Sequence, residues 1–133
     1  ARLRPVEDKI AALRRAYAGQ PITAVEPVAD DLAAAIGLVM RNRRFQRAVM
    51  NGVEPSASDI AAFQRDLESR AVRVLLYNSQ TVGPLTERLH ALAARSGVPV
   101  VGVTETMPPG VSYQDWMLAQ LEALEAALAA AKP

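Results

Sequence analysis

Five side chains bearing carboxylate or amide groups follow predicted strands of this chain, where open α/β sheets bind their ligands. They are Glu26, Glu54, Asn78, Gln80 and Glu105. Because the carboxyl ends of parallel strands meet at one edge of a sheet, we expect these side chains to share one rim. Such a rim offers oxygen ligands without imidazole or thiolate, which suits a hard divalent cation. A carboxylate after a strand also serves as a helix cap or a solvated loop residue, so a structural role is the alternative for each position.

The segment 98–121, with the sequence VPVVGVTETMPPGVSYQDWMLAQL, combines a strand, a polar loop and a capped helix. Residues 98–103 form an apolar run typical of a strand that is buried on both faces. Two prolines and a glycine then exclude regular structure until Ser112, which with Asp115 makes an N-capping pattern. This arrangement predicts that Glu105 lies at the carboxyl end of a parallel strand.

Extended and helical patterns alternate along the whole chain, which is typical of βα units. Strands are predicted at residues 21–25, 45–50, 72–77 and 98–103, of which 45–50 is the weakest. The first helical stripe consists of Val6, Ile10, Leu13 and Tyr17. The sequence therefore predicts an α/β fold with three layers, in which helices cover both faces of a mostly parallel four-stranded sheet. The strand order stays open, because right-handed connections allow more than one.

Composition excludes several classes of function. The chain has 133 residues, half of them apolar, and this is enough for a single domain core. A formal charge of +1 provides no field to attract nucleic acid. The absence of cysteine removes disulfides, thiolate metal sites and cysteine nucleophiles. No membrane-spanning stretch or signal-peptide core is found in this chain, so we expect a soluble piece.

Three stretches resemble one protein family: VEPVADDLAAAIGL, FQRAVMNGVEPSASDIAAFQRDLESRAVRVLLYNSQT and GVPVVGVTETMPPGVSYQDWMLAQLEAL. They are similar to the carboxyl-terminal lobe of the TroA-like zinc and manganese solute-binding proteins of bacterial ABC importers. The resemblance implies two α/β lobes joined by a long helix, which here corresponds to residues 1–19, with the lobe at 20–133. The amino-terminal lobe, which normally supplies two metal ligands, would be missing.

The resemblance also implies what the protein does and where. Zinc or manganese would be the transported ligand, no cofactor would be bound tightly, and the partner would be an ABC permease in the membrane. The location would be extracytoplasmic, either periplasmic or lipid-anchored on the cell surface. The protein would not be an enzyme.

The ligand positions that the family implies for this lobe fall on Gln46 and Val111. Glutamine is a weak neutral ligand and valine is none, so the usual half-site is not present on these residues. Either the ion is bound by other groups, for which Glu54 and Glu105 with Gln46 are the candidates, or ordinary metal binding has been lost. We therefore predict weak metal binding, with Glu26, Asn78 and Gln80 lining the cleft.

Two other classes of function stay open on the sequence alone. A small α/β enzyme or ligand-sensing domain would use the rim around Glu105 and Asn78, and an interaction domain would have no small ligand. A half-protein would expose the apolar stripe of its first helix, which predicts a homodimer. The single histidine, His90, lies next to Leu89, which belongs to the apolar stripe of a later helix. We expect the His90 side chain to be solvated.

Overall fold

The computed structural model describes residues 4–131, which form alternating strands and helices. In chain order these are α1 (Arg4–Tyr17), β1 (Pro21–Ala24), α2 (Asp30–Ile36), β2 (Val39–Arg41), α3 (Arg43–Met50), α4 (Ala57–Glu68), β3 (Leu75–Asn78), α5 (Pro84–Ser96), β4 (Val100–Val103) and α6 (Tyr113–Ala130). Helix α1 falls within the predicted linking segment 1–19, of which residues 1–3 lie outside the described residues.

The four strands form one parallel sheet in the order β2-β1-β3-β4. The chain therefore passes from β1 to β2 on one side and then crosses to β3 on the other side of β1. Between β1 and β3 the connections leave in opposite directions, which opens a crevice at the carboxyl ends of these two strands. The predicted α/β class and parallel sheet are confirmed.

Helices cover both faces of the sheet and define two apolar cores. One core joins α1, α2 and α6 to the sheet and includes Leu13, Ile22 and Leu121. The other joins α3, α4 and α5 to the opposite face and includes Phe45 and Phe63, whose ring centroids are 4.6 Å apart. The three predicted layers are thus present, and each layer of helices buries its own apolar stripe.

The predicted strand at residues 45–50 is wrong, because this segment is helix α3. Phe45 and Gln46 are buried and Val49 packs partly against the same core, which is the spacing of one helix face. The missed strand is β2, which has only three residues at the edge of the sheet and buries Met40 alone. Three residues are too few to show the alternation of apolar and polar side chains that predicts a strand.

The other strands are shorter than predicted. Strand β3 begins at Leu75 and β4 at Val100, although Val72 and Val98, at the starts of the two predicted strands, are buried. The expectation that residues 98–103 are buried on both faces is only partly right, because β4 is an edge strand and Gly102 is exposed. A Cβ atom at Gly102 would lie 2.9 Å from Cζ of Tyr77, so the missing side chain lets the tyrosine ring lie against β4.

Hydroxyl caps and left-handed glycines fix the ends of several helices. The hydroxyl groups of Ser56 and Ser112 accept hydrogen bonds from the backbone N–H groups of Asp59 and Asp115, each at 3.1 Å. The contact at Ser112 confirms the capping pattern predicted for α6, and Ser56 caps α4 in the same way. Gly97 ends α5 with φ +79°, a conformation that other residues adopt only with strain.

The apolar stripe of α1 is covered by the chain itself. Val6 and Leu13 are buried, and Ile10 and Tyr17 pack against the same core as α2 and α6. The ammonium group of Lys9 also donates a hydrogen bond of 2.9 Å to the Glu125 carboxylate on α6. The stripe therefore gives no reason to expect a homodimer.

Candidate metal-binding rim

The carboxyl ends of β1, β3 and β4 form a polar rim. Glu26 follows β1 by two residues, Gln80 follows β3 by two, and Glu105 follows β4 by two. Glu26 and Glu105 line the same open cavity of about 600 Å³, together with Thr81. We call Glu26, Gln80, Thr81 and Glu105 the carboxylate rim.

Apolar side chains surround the shared cavity. Val25, Val49 and Leu85 line its wall, and Met50 and Val82 at its mouth are 60% and 51% exposed. An exposed group of large apolar side chains next to carboxylates is typical of a surface that another part of a protein covers. The cavity therefore resembles half of a cleft more than a closed pocket.

The carboxylate of Glu26 is held by a neutral donor. The hydroxyl of Thr81 donates a hydrogen bond of 3.0 Å to Oε1 of Glu26, across the gap between the loops after β1 and β3. This contact fixes one oxygen without cancelling the negative charge. Sequence reasoning missed Thr81, because nothing in the order of residues indicates that its hydroxyl meets Glu26.

The backbone of Glu105 is held by Gln80. Oε1 of Gln80 accepts hydrogen bonds from the backbone N–H groups of Glu105 at 3.3 Å and Thr106 at 3.5 Å. Its Nε2 donates to Oγ1 of Thr106 at 2.9 Å. Gln80 is held in turn by Oδ1 of Asn78, which accepts from the Gln80 N–H at 2.9 Å. Of the predicted rim residues, Gln80 thus connects the loops after β3 and β4, and Asn78 at the end of β3 holds Gln80.

Helix α6 supports the same loop from the other side. Nε1 of Trp116 donates to Oγ1 of Thr104 at 2.6 Å, and Oε1 of Gln120 accepts from the Thr104 N–H at 2.9 Å. A second open cavity of about 450 Å³ lies here, lined by Glu105, by the first turn of α2 and by the start of α6. Glu105 therefore stands between two cavities, with its preceding residue anchored to a helix.

Glu54 and Val111 contribute to neither of the two cavities next to Glu105. Glu54 follows helix α3, so the expectation that it follows a strand is wrong, and its place on the rim stays a prediction. Glu54 and Val111 are both exposed in loops, and neither lines either of the two cavities to which Glu105 contributes. A valine side chain offers no donor atom to an ion.

Gln46 belongs to a closed set of polar contacts, which we call the Arg41 network. Its members are Thr23, Arg41, Asn42, Gln46 and Asp66. Gln46 is 1% exposed, and its Nε2 donates a hydrogen bond of 2.7 Å to the Arg41 carbonyl. The guanidinium of Arg41 donates two hydrogen bonds to the Asp66 carboxylate, at 2.9 and 3.0 Å. These hydrogen bonds raise the pKa of Arg41 above its usual value.

Asn42 completes the Arg41 network. Its Nδ2 donates to Oδ2 of Asp66 at 3.0 Å and to Oγ1 of Thr23 at 2.9 Å, while the Thr23 hydroxyl donates to the Arg41 carbonyl at 3.1 Å. These bonds tie β1 and β2 to helix α4. The amide of Gln46 is therefore used to connect elements of the fold.

His90 is half-buried, so the expectation of a solvated side chain is wrong. Its ring makes an edge contact with Tyr77 at a centroid distance of 4.1 Å, and its Nε2 is buried without a hydrogen-bond partner among the described residues. Burial lowers the pKa of His90, against the opposing effect of Glu87. The neutral imidazole therefore fits this position better than the charged form.

The described residues do not contain a complete metal site. Between residues 4 and 131 there is no group of three or more histidine, aspartate or glutamate side chains arranged to hold an ion. Four ligands are usual for zinc and more for harder cations. Two carboxylates alone would leave such a coordination shell incomplete.

Comparison with known proteins identifies the family. The model of the family described as zinc-uptake complex component A, periplasmic (ZnuA), matches residues 1–127. The chain belongs to this family. A ZnuA-family protein is a component of an uptake complex, which is a class distinct from enzymes. The search of curated proteins gave no match.

Solved structures of similar fold agree with the ZnuA assignment. The laminin-binding protein Lbp of Streptococcus pyogenes has 19% identity and a TM-score of 0.67 over 94% of this chain and 47% of its own. The periplasmic zinc-binding protein TroA of Treponema pallidum has 13% identity and a TM-score of 0.64 over 98% of this chain and 48% of its own. FpvC of Pseudomonas aeruginosa, solved with Mn²⁺, has 18% identity and a TM-score of 0.66 over 96% of this chain and 48% of its own.

The chain thus spans about half the length of these ZnuA-like structures. At these identities the likeness establishes the fold of one lobe. No helix among residues 4–131 is long and apolar enough to cross a membrane.

Proposed function

We propose that this chain is one lobe of a solute-binding protein that captures zinc or manganese and delivers it to an ABC permease. The observation that carries the proposal is the common cavity of Glu26 and Glu105. This cavity opens where the connections after β1 and β3 diverge, the position at which open α/β sheets bind ligands. Membership in the ZnuA family supports metal as the ligand.

Glu26 and Glu105 are the ligands that we propose for this lobe. Neither forms an ion pair with a basic side chain in residues 4–131, so both keep the negative charge that attracts a cation. Glu54 and Gln46 stay predictions without such support, because the first lies outside the shared cavity and the second is committed to the Arg41 carbonyl.

The remaining ligands would come from a second lobe. The chain spans about half of its solved relatives, and two carboxylates leave a zinc shell incomplete. In this arrangement residues 1–19 form the linking helix and 20–133 the carboxyl-terminal lobe. The exposed side chains of Met50 and Val82 would be covered when the lobes close over the ion.

The cellular setting follows from the same proposal. The protein works outside the cytoplasm, either in the periplasm or anchored by lipid at the cell surface, and its partner is the membrane permease. Zinc or manganese is cargo, so the protein needs no tightly bound cofactor. A homodimer of this lobe stays a prediction that the covered α1 stripe no longer supports.

Binding of Mn²⁺ to the 133-residue chain tests the proposal. The paramagnetic ion broadens the amide NMR signals of nearby residues, and we expect this loss to centre on Glu26 and Glu105. Calorimetry with zinc and manganese gives the affinity, which we expect to be weaker than micromolar for a half-site. Glu26→Gln and Glu105→Gln should each weaken it about tenfold or more, because they remove a proposed ligand and loss of even an outer-shell partner commonly costs about tenfold.

Glu68→Gln is the matched control, because Glu68 is exposed on α4 and lines neither rim cavity. It should bind like the parent chain. Glu54→Gln tests the earlier candidate in the same way. Broadening that centres on Glu54, or affinities unchanged in both rim variants, would overturn the assignment of the site.

A further inference from the structure

The turn after β3, residues 79–83, contacts both proposed metal ligands. Strand β3 lies between β1 and β4, so this turn stands between the loops that carry Glu26 and Glu105. Thr81 donates to the carboxylate of Glu26 at 3.0 Å, and Gln80 accepts from the backbone of Glu105 at 3.3 Å. One short segment therefore reaches both sides of the shared cavity.

We propose that Gln80 and Thr81 are positioning residues that hold the two carboxylates at a fixed separation and so set the metal affinity of this lobe. The inference rests on the proposed function, because it concerns the same half-site. Partners that orient a ligand commonly contribute about 10- to 100-fold in metal affinity, since an oriented ligand loses less freedom on binding.

Thr81 acts on the side chain of Glu26. Its hydroxyl occupies Oε1, which directs the carboxylate and leaves Oε2 for an ion. Because the donor is neutral, the charge on Glu26 stays available to the cation. A basic residue in the same place would orient the carboxylate but would also compete with the metal.

Gln80 acts on the backbone of Glu105. Its oxygen accepts from two successive N–H groups, and its nitrogen donates to the Thr106 hydroxyl at 2.9 Å. These bonds define the course of the loop after β4, which otherwise contains two prolines and a glycine before α6 begins. The direction in which the Glu105 side chain leaves the backbone therefore depends on Gln80.

The turn is itself braced, so it can position its neighbours. The Ser79 N–H donates to the Val103 carbonyl at 2.9 Å, and the Ser79 hydroxyl approaches the same oxygen at 3.2 Å. Asn78 is 5% exposed and accepts from the Gln80 N–H. The start of the turn is thus attached both to β4 and to the buried end of β3.

Two variants remove the contacts with little change of shape. Thr81→Val deletes the hydroxyl, and Thr81→Ser keeps it as a rescue. Gln80→Leu deletes both amide functions, and Gln64→Leu on the exposed face of α4 is its control. Affinity is measured by NMR titration with Mn²⁺ and with Zn²⁺, and the urea unfolding midpoint is measured without metal.

We expect Thr81→Val and Gln80→Leu each to weaken metal binding about tenfold, while Thr81→Ser and Gln64→Leu bind like the parent chain. The metal-free unfolding midpoints of Thr81→Val and Thr81→Ser should agree. In Gln80→Leu the amide hydrogens of Glu105 and Thr106 should exchange faster. A merely structural role for Thr81 would instead lower the metal-free unfolding midpoint of Thr81→Val below that of Thr81→Ser.

The outcomes separate this inference from the proposed function. If Glu26→Gln and Glu105→Gln lose binding while Thr81→Val and Gln80→Leu keep it, the positioning role is overturned and the half-site stands. If Thr81→Ser loses affinity as Thr81→Val does, the hydroxyl is not the determinant, and the role of Thr81 is overturned. If the parent chain shows no localised broadening by Mn²⁺, the half-site fails and the positioning role fails with it.

Discussion

The carboxylate rim and the Arg41 network lie at carboxyl ends of strands in one sheet, but they use their charged groups differently. In the Arg41 network, Asp66 is 11% exposed at its side chain and accepts three hydrogen bonds, two of them from a cation. On the rim, Glu26 accepts from a neutral hydroxyl and Glu105 is held by its backbone. The network thus pairs its carboxylate with a cation, while the carboxylates of the rim have no cationic partner among the described residues.

The difference shows which carboxylates near a strand end can bind a ligand. A carboxylate paired with arginine gains its stability from that pair, and a second cation would have to displace it. A carboxylate held by threonine or through its own backbone has no such competitor. The identity of the hydrogen-bond donor therefore separates a structural carboxylate from a candidate ligand more clearly than its position after a strand.

Asp66→Ala should produce the largest change in stability. It should break the Arg41 network and leave the carboxylate rim unchanged. It leaves Arg41 and Asn42 without their acceptor, and we expect the free energy of unfolding to fall by about 2 kcal/mol. The expected loss of stability is moderate because the Arg41 side chain is 48% exposed, so water replaces part of the lost interaction. Urea unfolding measures the change, with the exposed Glu68→Ala on the same helix as control, expected within about 0.5 kcal/mol. An equal loss in both variants would contradict the special role of Asp66.

Metal should stabilise the rim independently of the network. At about ten times the dissociation constant, Zn²⁺ or Mn²⁺ should raise the free energy of unfolding by about 1.4 kcal/mol, because the ion binds the folded chain. The increment should be the same in Asp66→Ala and fall to about 0.4 kcal/mol or less in Glu26→Gln, whose affinity is about tenfold weaker, as measured by thermal unfolding. Loss of the increment in Asp66→Ala would show that the two regions are not separate.

Trp116→Phe tests the support of the rim from α6. It removes the 2.6 Å hydrogen bond to Thr104 while keeping an aromatic ring, and we expect the free energy of unfolding to fall by about 1 kcal/mol. Circular dichroism follows unfolding, since the variant lacks the only tryptophan. Tyr113→Phe is the control, because the Tyr113 side chain is exposed. Faster amide exchange at Thr104 and Glu105 is expected only in Trp116→Phe.

His90 should contribute the smallest effect, through pH. Burial lowers its pKa in the folded chain below the ordinary value of 6.5, so the unfolded chain binds the proton more readily. Stability from this group is complete above about pH 6.5 and falls as the pH drops towards the folded pKa. We expect the urea midpoint to fall between pH 7.5 and 5.5, and to fall less in His90→Gln. Equal pH dependence in both proteins would contradict this contribution.

Local sequence patterns were enough to predict much of the fold. The apolar run at residues 98–103 contains β4, the run at 72–77 covers β3 except for Asn78, and the cap predicted at Ser112 places the start of α6. These signals are local, because a strand or a cap depends on residues within one or two turns of each other. They also indicated that Glu26 and Glu105 follow strands.

Only the tertiary structure decided what these elements do together. Strand β2 exists because three residues pair with β1, and α3 is a helix because Phe45 packs on Phe63 from α4. Pairing and packing of this kind join residues that are far apart in the sequence. The order β2-β1-β3-β4 then brings Glu26 and Glu105 to one cavity and places Thr81 and Gln80 between them. The sequence determined that carboxylates follow the strands, and the tertiary structure decided which of them pair with a cation, because that depends on the donor that each one meets across the sheet.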